Sequence, residues 1–317
     1  MGVFDRQSIS AAIKAIEATG NFKVLKTVEG HVFPQVDDRG NFAPGDLQVG
    51  AIVDTETTGP DHGNDLLQLS MIKFTYLAST GEVVSIDGHF NQFNDPGYPI
   101  PQEIIALTGI TDDMVAGKAV DMEALQDFIQ GIDLTVAHKA SYDRMVVEQS
   151  FSSLRDEWIN TRWACSLQEI DWKALGFGSA KLDYLLFKHG YTYDAHQADV
   201  DCKALLLLLT LQHDGKPLLK SLHDSSAQDS HDIWAVGAKF DAKDQLKARG
   251  YQWNDGVTTK FKAWKKSVSA SELAEELEFL KTIYMGNGEP VIETQTAYTR
   301  YSVLADGPQP SRTVSPA

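Results

Sequence analysis

The sequence predicts an α/β protein: a mixed sheet covered by helices, followed by a small α+β unit. Three observations carry the prediction. Three strand-length apolar runs between residues 47 and 93 are separated by turn signals, the mark of a meander. Short strands and helical patterns alternate after them, which calls for helices packed on a sheet. The charge then changes character near residue 229: residues 1–228 carry a net charge of −15 and residues 229–317 only −1. Two electrostatic regimes in one chain of 317 residues point to two domains.

The elements follow in order. Residues 7–18 read as a short helix, because Ile9, Ile13 and Ile16 recur at three- and four-residue spacing, and Gly20-Asn21 stops it. The polar stretch 21–46 has scattered Gly and Pro, so 1–46 is read as an N-terminal helix with a wrapping arm. Residues 47–53 form a strand that runs into Asp54-Thr55-Glu56-Thr57-Thr58-Gly59. Residues 66–76 and 83–93 are the next strands, with Gly81-Glu82 as the turn between them. Residues 99–107 and 121–130 read as helices, 134–137 as a short buried strand, and 141–149 as a helix that opens behind it. Residues 182–189 and 199–211 are further helices, the last with five consecutive leucines at 205–209.

Gly215, Pro217 and the polar run Asp224-Ser225-Ser226-Ala227-Gln228-Asp229-Ser230 make 214–230 a linker. A small α+β domain at 231–305 follows, and 306–317, without apolar pattern, is read as a disordered tail. Within the domain, 231–238 is a strand and 241–248 a helix, with Asp241 as its N-cap and Gly250 as its stop. Asn254-Asp255-Gly256 is a hairpin turn between 251–253 and 258–264, and Ser269 with Glu272 is a capping box for a helix carrying Leu273, Leu277, Leu280 and Tyr284. Between 239 and 266, eight basic residues face three acidic ones and alternate with Phe240, Tyr251, Trp253, Phe261 and Trp264. Most of these aromatics are expected in the domain's core. The basic face, notably Lys260, Lys262, Lys265 and Lys266, is a candidate for gripping phosphates, with any exposed ring stacking on unpaired bases.

Composition sets limits. Forty-three per cent apolar residues suffice for a core. No apolar run approaches the ~20 residues of a membrane span. The N-terminal residues lack the basic and apolar segments of a signal peptide. Two cysteines, Cys165 and Cys202, fit a reducing compartment, and the expected location is the cytoplasm. A net charge of −16 argues against a protein that coats nucleic acid non-specifically. It leaves open an enzyme that holds nucleic acid through metal ions, since a carboxylate-lined metal site is itself acidic.

The chemistry sits in four places. Asp54 and Glu56 are two apart at a strand end, so both carboxylates share a face. Such a pair is unfavourable without a cation; the plain alternative is an acidic turn. Asp143 follows a strand and a tight turn, either at a site or as an ordinary helix-start acid. Asp201 comes five residues after His196, at the start of the leucine-rich helix, where the helix dipole alone would also favour it. Jointly, four carboxylates and one histidine in the order D-x-E, D, H-x4-D suit two hard cations, Mg²⁺ or Mn²⁺, set for phosphodiester displacement. Histidine, titrating near pH ~6.5, suits proton removal from water.

At these residues the sequence resembles the DEDDh superfamily of 3′→5′ exonucleases, which includes the proofreading subunit of bacterial DNA polymerase III. Asp54-Thr55-Glu56-Thr57-Thr58-Gly59 resembles the first motif, Ala137-His138-Lys139-Ala140-Ser141-Tyr142-Asp143 the second and His196-Gln197-Ala198-Asp199-Val200-Asp201 the third, with Leu107-Thr108-Gly109-Ile110-Thr111 resembling a segment along the terminal nucleotide. The resemblance implies a ribonuclease-H-like fold over an exonuclease domain at 47–213. It implies Asp54, Glu56, Asp143 and Asp201 as ligands of two Mg²⁺ ions, with Mn²⁺ able to substitute, and His196 as general base. Thr57, Leu107, Thr108 and His138 become substrate contacts, Leu107 wedging against the terminal base. The implied substrate is nucleic acid with a free 3′ end, preferably single-stranded DNA, and the implied partner a polymerase or repair protein. Lys139 stands where the second motif usually has Asn, Pro60 where Leu is common, and Gln68 where the second strand often has Glu. Trp163-Ala164-Cys165-Ser166 and the tail unit fit a longer, epsilon-like bacterial subgroup, while the Gln-rich tether of the classical proofreading subunit is missing. The rival expectations are an exoribonuclease of the same superfamily and a catalytically inactive binding module.

Overall fold

The structure, a computed structural model, describes residues 6–35, 42–43, 45–256 and 261–303. The expected tail at 306–317 lies outside them. The expected α/β class is found: strands β1 (Leu47–Thr57), β2 (Leu66–Leu77) and β3 (Val83–Phe93) are antiparallel, β4 (Leu134–Ala137) and β5 (Arg162–Cys165) are parallel, helices accompany both, and a four-stranded sheet follows. Contacts divide the chain into two compact units, residues up to Phe128 with Ile170–Lys220, and Ile129–Glu169 with the residues from Ser221 onward.

In the first unit, β1, β2 and β3 are an antiparallel meander. Ala51, Ile52 and Val53 of β1 are fully buried, and nearly every residue of β2 is too. Gly50 pairs with Phe74 across the ladder, and a Cβ there would sit 2.4 Å from the Phe74 ring, so only glycine leaves room for it. Helix α6 (Ala198–Thr210) packs on β1 and β2 and against α5 (Leu182–Lys188). Its leucines 205–209 are all buried, the signature of a helix covered on every side. Helix α2 (Gln102–Thr108) lies on a smaller cluster of Leu67, Ile100, Ile110 and Val115. The N-terminal helix α1 (Arg6–Glu17) leads to the arm, where Lys26–Thr27 pairs in parallel with Tyr191–Thr192. Helix α3 (Met122–Ile129) begins where expected, within a residue.

The second unit has two parts. Strands β4 and β5 are parallel, Leu134 opposite Arg162 and Ala137 opposite Cys165, and α4 (Ala140–Ser150) follows β4. The four-stranded antiparallel sheet runs in the order β7-β8-β6-β9, with β6 at Ser230–Ala235, β7 at Gln252–Asn254, β8 at Ala263–Ser269 and β9 at Val291–Gln295. Helices α8 (Lys243–Ala248) and α9 (Leu273–Tyr284) complete its core of Ile233, Leu246, Tyr251, Val268, Leu280, Ile283 and Tyr284.

Several local expectations are corrected. Within 214–230, read as linker, helix α7 (Leu218–Ser226) buries Leu218, Leu219 and Leu222, whose spacing makes an apolar helical face. Asp241 is not an N-cap: it sits in a 3-10 turn, Phe240–Ala242, that precedes α8. Of the expected hairpin, Gln252, Trp253 and Asn254 pair with Lys265, Trp264 and Ala263, and residues 257–260 lie outside the described residues. The capping box is one-sided: the Glu272 carboxylate accepts both the Ser269 amide (2.9 Å) and its hydroxyl (2.6 Å), and the Ser269 hydroxyl caps nothing in return. Helix Arg155–Asn160 and strand β9 were not foreseen.

The end of the described chain is packed, not trailing. The Ala297 carbonyl accepts the Trp163 amide of β5 (2.8 Å). The Arg144 guanidinium, fully buried on α4, donates to the carbonyls of Tyr298 (2.8 Å) and Arg300 (2.9 Å) and to Glu148 (2.7 Å). Glu148, also fully buried, takes the Ser302 hydroxyl (2.8 Å) and the Val303 amide (2.7 Å). Arg300 and Tyr301 both reach the Glu169 carboxylate (2.9 and 3.0 Å).

Candidate active site

The site begins on β1. Alternation along the strand buries Thr55 and leaves Asp54 and Glu56 half-buried on the other face. Asp54 lies opposite Ser70 and Glu56 opposite Gln68, and the register breaks between Glu56 and Thr57, as at a β-bulge. The chain then turns sharply. Gly59 has φ +86°, and a Cβ would stand 3.2 Å from Ile104 of α2. A side chain there is disfavoured by both backbone and packing. Tyr98 fastens the same turn, its hydroxyl donating to Asp65 (2.7 Å) and lying 3.1 Å from the Thr58 hydroxyl.

Helix α6 supplies the third carboxylate. Asp201 Oδ2 accepts the backbone amides of His196 (2.8 Å) and Gln197 (3.0 Å), and its Oδ1 accepts the Tyr193 hydroxyl (2.9 Å). His196 itself has φ +71°, left-handed for a residue with a side chain. Such a conformation costs on the order of 1–3 kcal/mol and needs its surroundings to hold it; the bond from its amide to Asp201 does so. Gln68 also serves the helix start. Its Oε1 takes the Ala198 amide (3.4 Å) while its Nε2 donates to Asn91 (2.8 Å), so this residue ties the first turn of α6 to the sheet beside Glu56.

Ligand atoms of Asp54, Glu56 and Asp201 all lie within 4.8 Å of one another. Three carboxylates this close repel unless a cation or protons neutralise them. Their hard oxygens fit Mg²⁺ or Mn²⁺ and not a thiolate-loving metal. Burial pushes the Asp201 carboxyl above its ordinary range, against the pull of its bonds from Tyr193, Gln197 and His196. Burial and the charges of Asp201, Asp183 and Asp54 drive the Tyr193 phenol far upward, so it stays a proton donor.

The other expected residues fall as follows. His196 is exposed, on the loop that Asp201 fastens. Thr57 is buried and its Oγ1 accepts the Gly59 amide (3.3 Å). Leu107 is 52% exposed although its neighbours Ile104 and Ile105 pack on the apolar cluster beneath α2. Thr108 is buried, donating to the Ile104 carbonyl (2.9 Å) and accepting the Ile110 amide (3.1 Å), so its hydroxyl secures the helix end that presents Leu107. Asp143 belongs to the second unit, buried in the first turn of α4. His138, at the end of β4, sets Nδ1 2.8 Å from the Ser166 hydroxyl. Sequence reasoning missed Tyr193, which reaches Asp201 through a non-helical turn and has no periodic signal. It also missed the Arg144–Glu148 pair beside Asp143.

Known proteins resemble the chain over this region. The profile of the RNase T exonuclease family matches residues 51–209. A PolC-type DNA polymerase III of Listeria welshimeri is 27% identical over 269 residues, covering 80% of this chain. Its counterpart in Oceanobacillus iheyensis is 36% identical over 106 residues, 32% of this chain. The chain spans 18% and 7% of the length of those two relatives. Among solved structures, Exonuclease X in complex with 5′ overhanging duplex DNA is 22% identical, covering 54% of this chain and 99% of its own, at a TM-score of 0.38.

Proposed function

The chain belongs to the RNase T family of exonucleases, within the DEDDh superfamily, and from that premise we propose that it is a Mg²⁺-dependent 3′→5′ exonuclease acting on single-stranded DNA. The observation that carries the reading is the meeting of Asp54, Glu56 and Asp201 within 4.8 Å, from a strand and a helix whose outermost two of these residues are 147 positions apart in sequence. Two divalent ions bound there would supply an activated water and neutralise charge on the scissile phosphate. Asp54, Glu56 and Asp201 would hold them, with Asp143 as the fourth ligand; Mn²⁺ should replace Mg²⁺.

The remaining roles belong to the protein. His196 takes the proton of the attacking water; its exposure and its fixed backbone suit a group that meets substrate and solvent. Leu107 offers an exposed apolar face to the 3′-terminal base, and Thr57, Thr108 and His138 line the terminal nucleotide. Nucleoside 5′-monophosphates leave. DNA is favoured over RNA because the similar proteins are named as DNA polymerases. A polymerase or repair partner and a cytoplasmic location go with that reading; among the described residues no helix is long and apolar enough to cross a membrane. An exoribonuclease is the second reading, since nothing in the motifs senses a 2′-hydroxyl.

The test is a parallel digestion of 5′-labelled single-stranded DNA, duplex DNA and RNA of one sequence, with chelator and Asp54→Ala controls. The expected ladder shortens from the 3′ end, fastest on single-stranded DNA, and vanishes in both controls. His196→Ala should lose about 10²–10⁴-fold in turnover while substrate still binds. Activity in Asp54→Ala near that of the parent would refute the assignment.

A further inference from the structure

The small sheet of the second unit carries a strip that the exonuclease site does not use. Phe240 is 77% exposed and Trp253 52% exposed, although both belong to a unit whose other large apolar side chains are mostly buried. Trp253 stands opposite Trp264 on β7 and β8, ring centroids 5.5 Å apart. Lysines interleave with these rings. Lys243 Nζ lies 4.4 Å from the centre of the Phe240 ring, and Lys247 Nζ lies 5.9 Å from that of Trp264. Lys243 and Lys247 are one helical turn apart on α8, so they share a face. Those contacts string Phe240, Lys243, Lys247, Trp264 and Trp253 into one continuous surface.

Charge separates this strip from the rest of the basic segment. Lys265 is paired with Asp232 (2.8 Å), and Lys266 and Arg249 with Glu276 (2.7 and 3.2 Å). Lys260 lies outside the described residues. Two of the four lysines expected to grip phosphate at 260–266 are thus neutralised within their own unit, while Lys262 is exposed. Among the described residues, no carboxylate pairs with Lys239, Lys243 or Lys247. Unpaired ammonium groups beside the exposed Phe240 ring and the half-buried Trp264 ring that Trp253 adjoins, in a chain of net charge −16, match a polyanion with flat, unpaired bases.

We infer that Phe240, Trp253 and Trp264, with Lys243 and Lys247, form a second binding surface for single-stranded nucleic acid. The rings stack on bases without regard to sequence, and the lysines meet phosphates. A strand held there would be retained between cleavage events at its end. The proposal concerns binding and stands whether or not the chain cleaves DNA.

Anisotropy of a labelled dT25 strand, with the full chain in chelator so that nothing is digested, is the test. Stacking is worth roughly 5- to 150-fold in affinity per base, so Phe240→Ala with Trp253→Ala should weaken binding at least about tenfold. Both side chains are exposed, and an unchanged thermal melt confirms folding. Lys243→Ala with Lys247→Ala should flatten the slope of log affinity against log salt by about 1.4, at about 0.7 per single-strand phosphate contact. In Mg²⁺, the aromatic variant should raise KM on the 25-mer and leave kcat, and hydrolysis of a trinucleotide, unchanged. Parental affinity and salt slope in both variants would overturn the proposal. So would parental dT25 binding in variants whose only change is lost self-association, which would make the strip a protein contact.

Discussion

At the residue scale, the site divides into what alternation displays and what it hides. Asp54 and Glu56 are legible because a strand repeats every two residues, and the pair falls at the end of an apolar run. Asp201 is legible with His196 because the leucine helix marks where its first turn must be. Tyr193 is not, since its contact passes through residues without regular structure. Its hydroxyl orients one oxygen of Asp201 while two backbone amides hold the other. Groups that orient a metal ligand typically govern about 10–100-fold in metal affinity or activity. Tyr193→Phe should accordingly raise the Mg²⁺ concentration for half-maximal rate about tenfold or more, read from initial rates across a Mg²⁺ titration; an unshifted titration curve would show that Tyr193 merely fills space. Cys165 makes a second prediction. It is buried, and burial pushes its thiol up from 9.0 to about 11. The folded protein therefore keeps a proton that the unfolded chain releases. The stability it contributes is whole below about pH 9 and is lost as the pH climbs toward 11, at no more than about 1.4 kcal/mol per pH unit. Denaturant melts of the protein and of Cys165→Ala between pH 8 and 11 should diverge with this sign, the variant falling less steeply.

At the scale of elements, the helix that carries Asp143 was legible and its setting was not. Residues 141–149 announce a helix behind a buried strand, and α4 is found there. Arg144 and Glu148 are four apart with opposite charge, a spacing that solvated helix faces carry as well as buried ones. Both are fully buried, because chain from beyond residue 296 covers them and supplies carbonyls to one and N–H and O–H donors to the other. No local pattern encodes a cover that arrives 150 residues later. Helix Arg155–Asn160 was missed for a related reason: only Trp158 of its six residues is deeply buried, too few for a periodic signal. The buried pair predicts an asymmetry. Arg144→Ala leaves Glu148 charged in the interior and should cost about 3–5 kcal/mol, whereas Arg144→Met with Glu148→Leu leaves no buried charge, although it still strands the Tyr298 and Arg300 carbonyls and the Val303 amide, and should cost less than the two single variants added together. Strictly additive losses in chemical denaturation would show that the two charges do not depend on each other.

At the scale of the whole chain, charge and composition foretold a near-neutral α+β unit with a basic segment after an acidic one, and a small antiparallel sheet with its own core is present. What composition could not foretell is how far that part of the chain reaches. The segment after β9 returns to the parallel pair, taking the Trp163 amide of β5, the Arg144 guanidinium and the Glu148 carboxylate of α4, and the Glu169 carboxylate beyond β5. Burial holds the Glu169 carboxyl above its ordinary range, and Arg300 is the chief group pulling it back. A tail attached by a flexible linker would be removable without consequence for the rest. This one is not of that kind, since its loss strips partners from three buried charged side chains at once, each stranded group costing about 1–3 kcal/mol or more. A chain ending at Gln295 should therefore melt at a lower temperature and lose exonuclease activity, while Arg300→Ala alone should show part of the same fall. Should the shortened protein keep the parent's melting temperature and turnover, the bonds from Ala297 to Val303 would be incidental, and the α+β unit would be an appendage after all.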